Sequence, residues 1–147
     1  MKSFIKLAVV ASLAGVSTMA FAAGDPIAER KAMMKSVGAA TGASAAMVKG
    51  QADFDPRVAM LALRTMNAVA LGFADKFPAG SESGGKTTAS PKIWEDSAGF
   101  AAAVAKFEAD TAAALAAPAG DVDAFKAQFG AVAANCSSCH QDYRVKN

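Results

Sequence analysis

Three proline-containing dipeptides constrain the fold more than any other feature of this chain: Asp25-Pro26, Asp55-Pro56 and Ser90-Pro91. In each pair the first side chain can accept hydrogen bonds from free backbone N–H groups. The proline then takes the first helical position, where its missing N–H costs nothing. A fourth helix start follows Pro118–Gly120. Because alanine is abundant and no segment alternates with period two, these signals predict helices and no strand. The expected helices cover residues 26–49, 56–77, 91–117 and 121–145.

The links between these helices predict how they are arranged. Gly50–Asp55 joins the first helix to the second and Pro118–Gly120 joins the third to the fourth, and links this short favour antiparallel neighbours. Pro78–Ser90 is longer and is expected to form a surface loop. Apolar side chains recur at steps of three and four along the helices, which is typical of faces that pack inward. The fold class predicted is therefore all-α, an antiparallel up-down four-helix bundle.

Residues 1–22 are predicted to be a signal peptide. Lysines precede the short apolar run Leu7–Val16, and Ala20-Phe21-Ala22 places small residues at the spacing of a cleavage site. A retained N-terminal anchor is the alternative, but the apolar run is too short to span a bilayer. Removing 22 of the 147 residues leaves 125. We expect residues 23–147 to form one domain, exported to the periplasm and without a stable membrane span.

The charge balance argues against nucleic acid as a partner. Cleavage of the leader removes Lys2 and Lys6. The number of Lys and Arg residues then falls from 15 to 13, which equals the 13 Asp and Glu residues. No Lys/Arg-rich run remains of the kind that contacts phosphates.

The pentapeptide Cys136-Ser137-Ser138-Cys139-His140 carries the chemistry. It is the C-x-x-C-H pattern of c-type haem attachment. On a helix Cys136 and Cys139 share a face, so both sulfurs can reach the vinyl groups of one porphyrin. His140 lies one turn beyond Cys136, and histidine is a standard axial ligand of haem iron. The sequence thus predicts one covalent haem c, with its iron held by His140, at the C-terminal helix.

Other interpretations of the two cysteines are weaker. A disulfide between them would close a very small loop and stabilise little. A thioredoxin-like C-x-x-C follows a strand, and none is predicted here. Structural zinc needs four Cys/His ligands, and the chain contains only two cysteines and one histidine. A last alternative is that the two cysteines and the histidine have no joint function. It explains neither the export signal nor the position of both cysteines on the inward-facing side of the last helix.

The second axial position of the iron decides the function. His140 is the only histidine, so ligation by two histidines of one chain is excluded. Methionine, lysine, water or nothing remain. No acid–base pair or nucleophile arranged for catalysis is evident, and the chain is not expected to be an enzyme.

The chain resembles the class II cytochromes c, the family that includes cytochrome c-prime. The resemblance covers essentially all of the predicted mature chain. It rests on the segments 136–144, Ser90–Trp94 and Arg30–Gly38. Haem attachment near the C-terminus is itself a mark of this family, and the family fold is a four-helix bundle.

The resemblance implies two possible states of the iron. In the high-spin branch a bulky apolar residue at the position of Met34 only covers the haem, and the five-coordinate iron binds nitric oxide or carbon monoxide. In the low-spin branch a methionine there, typically followed by lysine, binds the iron in an electron carrier. Met34-Lys35 fits the second pattern, so His140 and Met34 are the expected iron ligands, with Met33 as the weaker candidate. The expected function is one-electron transfer with redox partner proteins, and gas binding is the alternative.

The resemblance also implies supporting roles. Arg30 is expected to approach a haem propionate, and Thr88 and Ser90 lie in a loop that nears the haem in relatives. Family members are often homodimers that pack through the first two helices. Small residues in the first helix permit such packing but fit an intramolecular contact equally well: Gly38, Ala39, Gly42 and Ala43.

Overall fold

The computed structural model describes residues 24–145; the predicted signal peptide lies outside the described residues. The helices are α1 (Pro26–Val48), α2 (Pro56–Phe73), α3 (Lys92–Glu95), α4 (Ser97–Ala116) and α5 (Val122–Tyr143). The four long helices form an antiparallel bundle in which α1 packs on α2 and α5, α2 packs on α4, and α4 packs on α5. Residues 24–145 contain no β-strand, only an isolated antiparallel bridge between Ala89 and Arg144.

Three predicted helix starts are confirmed by their caps. The Asp25 carboxylate accepts a hydrogen bond from the backbone N–H of Ile27 at 2.9 Å, and Asp55 accepts one from Arg57 at 2.8 Å. Asp121 caps α5 in the same way through Ala124. Each cap satisfies an N–H group that the helix itself leaves free.

The prediction of one continuous helix over 91–117 is wrong. The chain breaks between α3 and α4 at Asp96, whose φ and ψ are −126° and 57°. The Asp96 carboxylate accepts hydrogen bonds from the backbone N–H of Gly99 at 3.1 Å and from the Tyr143 hydroxyl at 2.9 Å. Asp96 therefore starts α4 with its own cap and joins that start to the end of α5.

The predicted second helix also ends early. Its α-helical part stops at Phe73, and the 3₁₀ turn Ala74–Lys76 carries the chain to Phe77. There the indole N–H of Trp94 donates to the Phe77 carbonyl at 3.1 Å. This contact fixes the exit of α2 against the short helix α3.

The buried side chains form two clusters. The larger cluster lies between α1, α2 and α5 and includes Met66 and Phe125, which are almost fully buried. The smaller cluster, Ile93, Phe100, Val104 and Tyr143, lies where α3, α4 and the end of α5 meet. The second cluster closes the end of the bundle that carries Cys136 and Cys139.

Helix α2 and the turn that follows it are strongly apolar. Among the described residues, Pro56–Lys76 is long and apolar enough to cross a membrane by length and composition alone, and one third of this stretch is buried in the bundle. A core helix of a bundle has the same composition, because its inward face is apolar. Its outer face exposes Val58, Leu61 and Leu71.

Candidate functional site

A cavity of about 600 Å³ opens at the end of the bundle where α5 ends. Every helix of the fold contributes to its wall, as does the loop that precedes α3. Its volume falls within the usual range for ligand and cofactor sites. Six of the seven predicted site residues line it: Arg30, Met34, Thr88, Cys136, Cys139 and His140.

The last three turns of α5 bring the C-x-x-C-H side chains to this cavity. Cys136 and Cys139 are both half-buried, and His140 lines the wall although much of it is exposed. The three residues lie on one helix, so their relative positions follow from helical geometry. Two thiols and one imidazole thus face the same space.

The electrostatics of these three side chains favour their neutral forms. Burial raises the pKa of Cys136, and burial together with Cys136 and Asp142 raises the pKa of Cys139. Burial, and then the nearby Arg144, lower the pKa of His140. A raised thiol pKa is the opposite of an activated nucleophile. A neutral imidazole, in contrast, has a free ring nitrogen for a metal.

Helix α1 presents Met34 to the cavity. Met34 is half-buried, lines the cavity and also packs against the larger core cluster. Met33 packs against the same cluster but is not part of the cavity wall. The structure therefore places the thioether of Met34, and not that of Met33, in the space shared with His140.

Arg30 is a buried cation held by the loop before α3. Only 3% of it is exposed. Its guanidinium donates to the Ser81 hydroxyl at 3.0 Å, to the Ser81 carbonyl at 2.8 Å and to the Thr87 hydroxyl at 3.1 Å. It also lies over the rings of Phe77 and Trp94, at 4.8 Å and 5.7 Å from their centroids.

This cation lacks an anionic partner. Among the described residues no carboxylate forms an ion pair with Arg30, and its buried Nε has no hydrogen-bond partner. Burial lowers its pKa, opposed by the fields of Asp25 and Glu82. Burying a cation without a counter-charge is costly. The site is therefore suited to an acidic group brought by a ligand.

The two predicted loop residues have different positions. Thr88 lines the cavity, and its hydroxyl accepts a hydrogen bond from Arg144 Nε at 3.4 Å. Ser90 is not part of the cavity wall; its hydroxyl accepts from the backbone N–H of Lys92 at 3.3 Å. Its own N–H donates to the Tyr143 carbonyl, which ties the loop to the end of α5.

Several residues of the cavity wall were not predicted as site residues from the sequence. Phe73, Phe77 and Phe100 form an aromatic group with centroids 4.7–6.3 Å apart. Their spacing within helical stripes indicated burial but not a ligand. Thr87, which binds Arg30, carried no signal in the sequence, because its role depends on a partner 57 residues away.

The cavity has the features that a covalent haem requires. Its wall is mainly apolar, two thiols and an imidazole face it, and a buried cation lacks a counter-ion. A metal alone is a poorer fit, since residues 24–145 contain no cluster of three or more His, Cys, Asp or Glu side chains placed to bind one. Cys136 and Cys139 would hold the porphyrin and His140 its iron, and Arg30 suits its acidic edge.

Comparisons with known proteins agree with this chemistry. Residues 25–144 match the family model described as cytochrome C'. A cytochrome c' of Rhodopseudomonas palustris is 43% identical over 141 residues, covering 93% of this chain and 96% of that protein. A cytochrome c-556 of Agrobacterium fabrum is 39% identical over 126 residues, covering 86% of this chain and 84% of that protein.

Solved structures show the same fold. Cytochrome c' from Rhodopseudomonas palustris superposes with a TM-score of 0.81 at 43% identity, covering 85% of this chain and 99% of that one. A mutant cytochrome c prime from Alcaligenes xylosoxidans in complex with nitric oxide gives a TM-score of 0.72 at 30% identity, covering 82% and 94%.

This four-helix bundle with C-x-x-C-H at its end is thus matched over most of its length by one family model and by a solved structure of that family. The chain belongs to the cytochrome c' family, whose members bind a covalently attached haem c with its iron.

Proposed function

We propose that this chain is a periplasmic cytochrome c' whose iron is held by His140 alone and binds nitric oxide or carbon monoxide on its open side. When bound, haem supplies an iron that changes oxidation state by one electron and can take up a diatomic gas. The proposal is of a binding protein and not an enzyme. The Met34-Lys35 pair in the sequence favoured iron ligation by Met34 and electron transfer, whereas the function proposed here leaves Met34 unbound.

The observation that carries the proposal is the packing of Met34. Its side chain lines the cavity and at the same time packs against the larger core cluster. A thioether used as core packing would lie over the iron without a bond, since methionine readily fills irregular apolar space. The apolar wall beside it, with Val69, Phe73 and Phe107, suits a small uncharged gas.

Relatives add support. Those named cytochrome c' include the Rhodopseudomonas palustris protein at 43% identity, and the Alcaligenes xylosoxidans structure holds nitric oxide. We transfer gas binding to this chain as a proposal.

A His/Met-ligated electron carrier is the second candidate. Among the described residues Met34 is the one methionine in the cavity wall, and the cytochrome c-556 of Agrobacterium fabrum is 39% identical. Axial methionine stabilises reduced haem and raises the reduction potential, as in electron-carrying cytochromes c.

Visible absorption of the purified holoprotein, with and without carbon monoxide, distinguishes the two candidates. For the gas binder we expect broad high-spin spectra in both oxidation states and a large shift when carbon monoxide meets the reduced protein. A sharp reduced α-band with no response to carbon monoxide would overturn the proposal in favour of the electron carrier.

Two neighbouring methionines provide matched variants. In a gas binder, Met34→Ala should remain high-spin and bind carbon monoxide faster, because the cover over the cavity is smaller. Met33→Ala removes the same volume from the same helix turn but not from the cavity wall, and should bind carbon monoxide like the parent. If Met34→Ala instead converts a low-spin spectrum to a high-spin one, Met34 is an iron ligand.

Haem attachment is tested separately from coordination. Replacing Cys139 by alanine should leave one thioether, which shifts the haemochrome absorption in alkaline pyridine. A Cys139→Ala protein whose haemochrome still matches two thioethers would contradict the assignment of Cys136 and Cys139.

Location and assembly are part of the proposal. The predicted leader directs the protein to the periplasm, where haem attachment to exported apoproteins takes place. We further propose a homodimer that packs through α1 and α2. Ala39, Gly42 and Ala43 are exposed on α1, and among residues 24–145 no atom outside the local helix backbone lies within 4 Å of a Cβ built on Gly42, which leaves this small-residue face open for a second copy.

A further inference from the structure

The wall of the haem cavity has an unequal charge distribution. Among residues 24–145, it contains four cations, Arg30, Lys31, Lys35 and Arg144, and no Asp or Glu. Residues 23–147 as a whole carry equal numbers of basic and acidic side chains. Because Arg30 is buried, the surface charge around the opening comes from the other three, all of which are exposed.

Lys31 and Lys35 form one feature of this rim. They lie four residues apart on α1, so their side chains project from the same face of the helix. Neither has a carboxylate within 4 Å in the part of the chain that the structure describes. Two ammonium groups next to each other repel, and no carboxylate of residues 24–145 pairs with either to offset that repulsion.

The acidic residues at this end of the bundle are directed elsewhere. Glu29 pairs with Lys76 at 2.7 Å, and Asp142 pairs with Lys92 at 3.0 Å. Asp96 accepts the Tyr143 hydroxyl. Asp25 and Glu82 act on the buried Arg30 from outside the cavity wall. The described lining of the opening is therefore positively charged, whereas residues 23–147 as a whole carry balanced charge.

We propose that Lys31 and Lys35, continued by Arg144 beside His140, form the docking surface for an acidic protein that delivers one electron to the haem. Carbon monoxide binds only ferrous haem, so the proposed function requires that ferric iron be reduced. One electron passes from the donor to the iron, the donor is oxidised by one electron, and no bond forms or breaks. A cationic rim speeds such an encounter by steering an anionic partner toward the site of electron entry.

The inference rests on the haem of the proposed function but not on the number of iron ligands. Five- and six-coordinate iron both have to be reduced at the same opening. Another interpretation of the rim is that the lysines only neutralise haem propionates. In that case their removal should change the reduction potential and not the encounter with charged partners.

The test measures electron transfer with small charged reagents of opposite sign. Reduced holoprotein is oxidised by anionic hexacyanoferrate(III) or by cationic tris(phenanthroline)cobalt(III), and the second-order rate constant is followed against ionic strength. We expect the hexacyanoferrate rate to fall as salt increases and the cobalt rate to rise, because salt screens attraction in the first case and repulsion in the second. A reduced acidic [2Fe–2S] ferredoxin, with the ferric protein as acceptor, should show the same sign as hexacyanoferrate.

Charge-reversed variants locate the effect. Lys31→Glu and Lys35→Glu should each weaken the salt dependence with hexacyanoferrate, and the double variant should abolish or invert it. Lys126→Glu makes the same change in net charge near the start of α5, roughly 15–20 Å along the helix from the cysteines. It should retain the salt dependence of the parent.

Each other result overturns the inference. If all variants respond alike, the net charge and not the rim governs the encounter. If the lysine variants shift the reduction potential beyond the Lys126→Glu control while salt dependence is unchanged, the lysines serve the propionates. Carbon monoxide titration of the parent and of every variant keeps the two proposals apart, since a parent that does not bind carbon monoxide contradicts the proposed function, whereas a parent rate with hexacyanoferrate that does not depend on salt contradicts the rim alone.

Discussion

Arg30 shows how one side chain connects the helices to the haem site. Its guanidinium binds Ser81 and Thr87 of the loop, and its Nε remains free beside the cavity. The loop in turn bonds to the end of α5 through the Thr88 carbonyl and the Val145 N–H, 3.0 Å apart. A single cation thus holds both the wall of the cavity and the loop at its edge in place.

Replacing Arg30 by alanine should lower the free energy of unfolding of the holoprotein by about 2–4 kcal/mol, because buried acceptors on Ser81 and Thr87 lose a charged donor. Arg30→Lys keeps the charge but cannot reach all these acceptors, and should lie between the parent and the alanine variant. Denaturant unfolding followed by circular dichroism measures the difference. Equal stability of all three proteins would contradict this role.

Gly99 is needed for close packing at the start of α4. A Cβ at this position would lie 2.6 Å from the Tyr143 hydroxyl and would clash with the Asp96 carboxylate. Gly99→Ala should therefore break the Tyr143–Asp96 hydrogen bond and cost about 1–3 kcal/mol of stability. Gly130→Ala is the matched control, since no atom lies within 4 Å of its Cβ. It should be neutral or stabilising by up to about 1 kcal/mol.

The same variant has a spectroscopic signature. Burial and then Asp96 raise the pKa of Tyr143 to about 12, and Tyr143 is the only tyrosine in the chain. In Gly99→Ala the pKa should fall toward the ordinary value of about 10. Ultraviolet difference titration of the phenolate measures it. An unchanged tyrosine titration would show that the hydrogen bond survives.

At the level of elements, a polar contact joins α4 to α5 next to the haem cysteines. The Asn135 amide donates to the Asp110 carboxylate at 2.7 Å, and Lys106 pairs with the same carboxylate at 2.6 Å. Asn135 is buried, lines the cavity and directly precedes Cys136. The contact holds the haem-binding part of α5 against its neighbour.

This contact predicts a pH dependence. The Asn135 hydrogen bond and then Lys106 lower the pKa of Asp110. A carboxyl group whose pKa is lower in the folded state stabilises the fold above its unfolded pKa of about 3.9, and this contribution is lost as the pH falls through the folded value.

We expect unfolding free energies measured from pH 6 to pH 2 to fall less steeply for Asp110→Asn than for the parent. The difference should be about 1 kcal/mol or less, because the pair is close to the surface. Lys106→Met should change the slope less than Asn135→Ala does, since Lys106 is the smaller cause. Identical slopes for the parent and Asp110→Asn would exclude this linkage.

At the level of the whole molecule, α1 and α2 present a face that the bundle leaves uncovered. Leu61 and Leu71 are 65% and 64% exposed, beside the small exposed residues of α1. Apolar surface of this kind is typical of an interface between copies related by a twofold axis.

Leu61→Glu should therefore convert a dimeric holoprotein to monomers in sedimentation equilibrium, with its visible spectrum unchanged. Val122→Glu changes another exposed apolar residue, on α5 and outside the proposed α1–α2 interface, and should stay dimeric. A parent protein that sediments as a monomer, or a Leu61→Glu variant that stays dimeric, would contradict the proposed assembly.

Local sequence determined the parts of this protein that depend on near neighbours. Asp25, Asp55 and Asp121 cap helices through N–H groups two or three residues away, so their role is visible in a short segment. The C-x-x-C-H spacing likewise lies within five residues of one helix, which is why it predicts the attachment chemistry directly.

Only the tertiary structure decided the features that depend on distant residues. Asp96 breaks the predicted third helix because its carboxylate meets Tyr143, 47 residues away. The wall contains Thr87 and Thr88 but not Ser90, because the loop is positioned by Arg30 and by the end of α5. The Met34-Lys35 pair drew attention to Met34 as an iron ligand, but its packing against the core depends on side chains of other helices. Such long-range contacts depend on how whole helices pack, and no local pattern of residues specifies them.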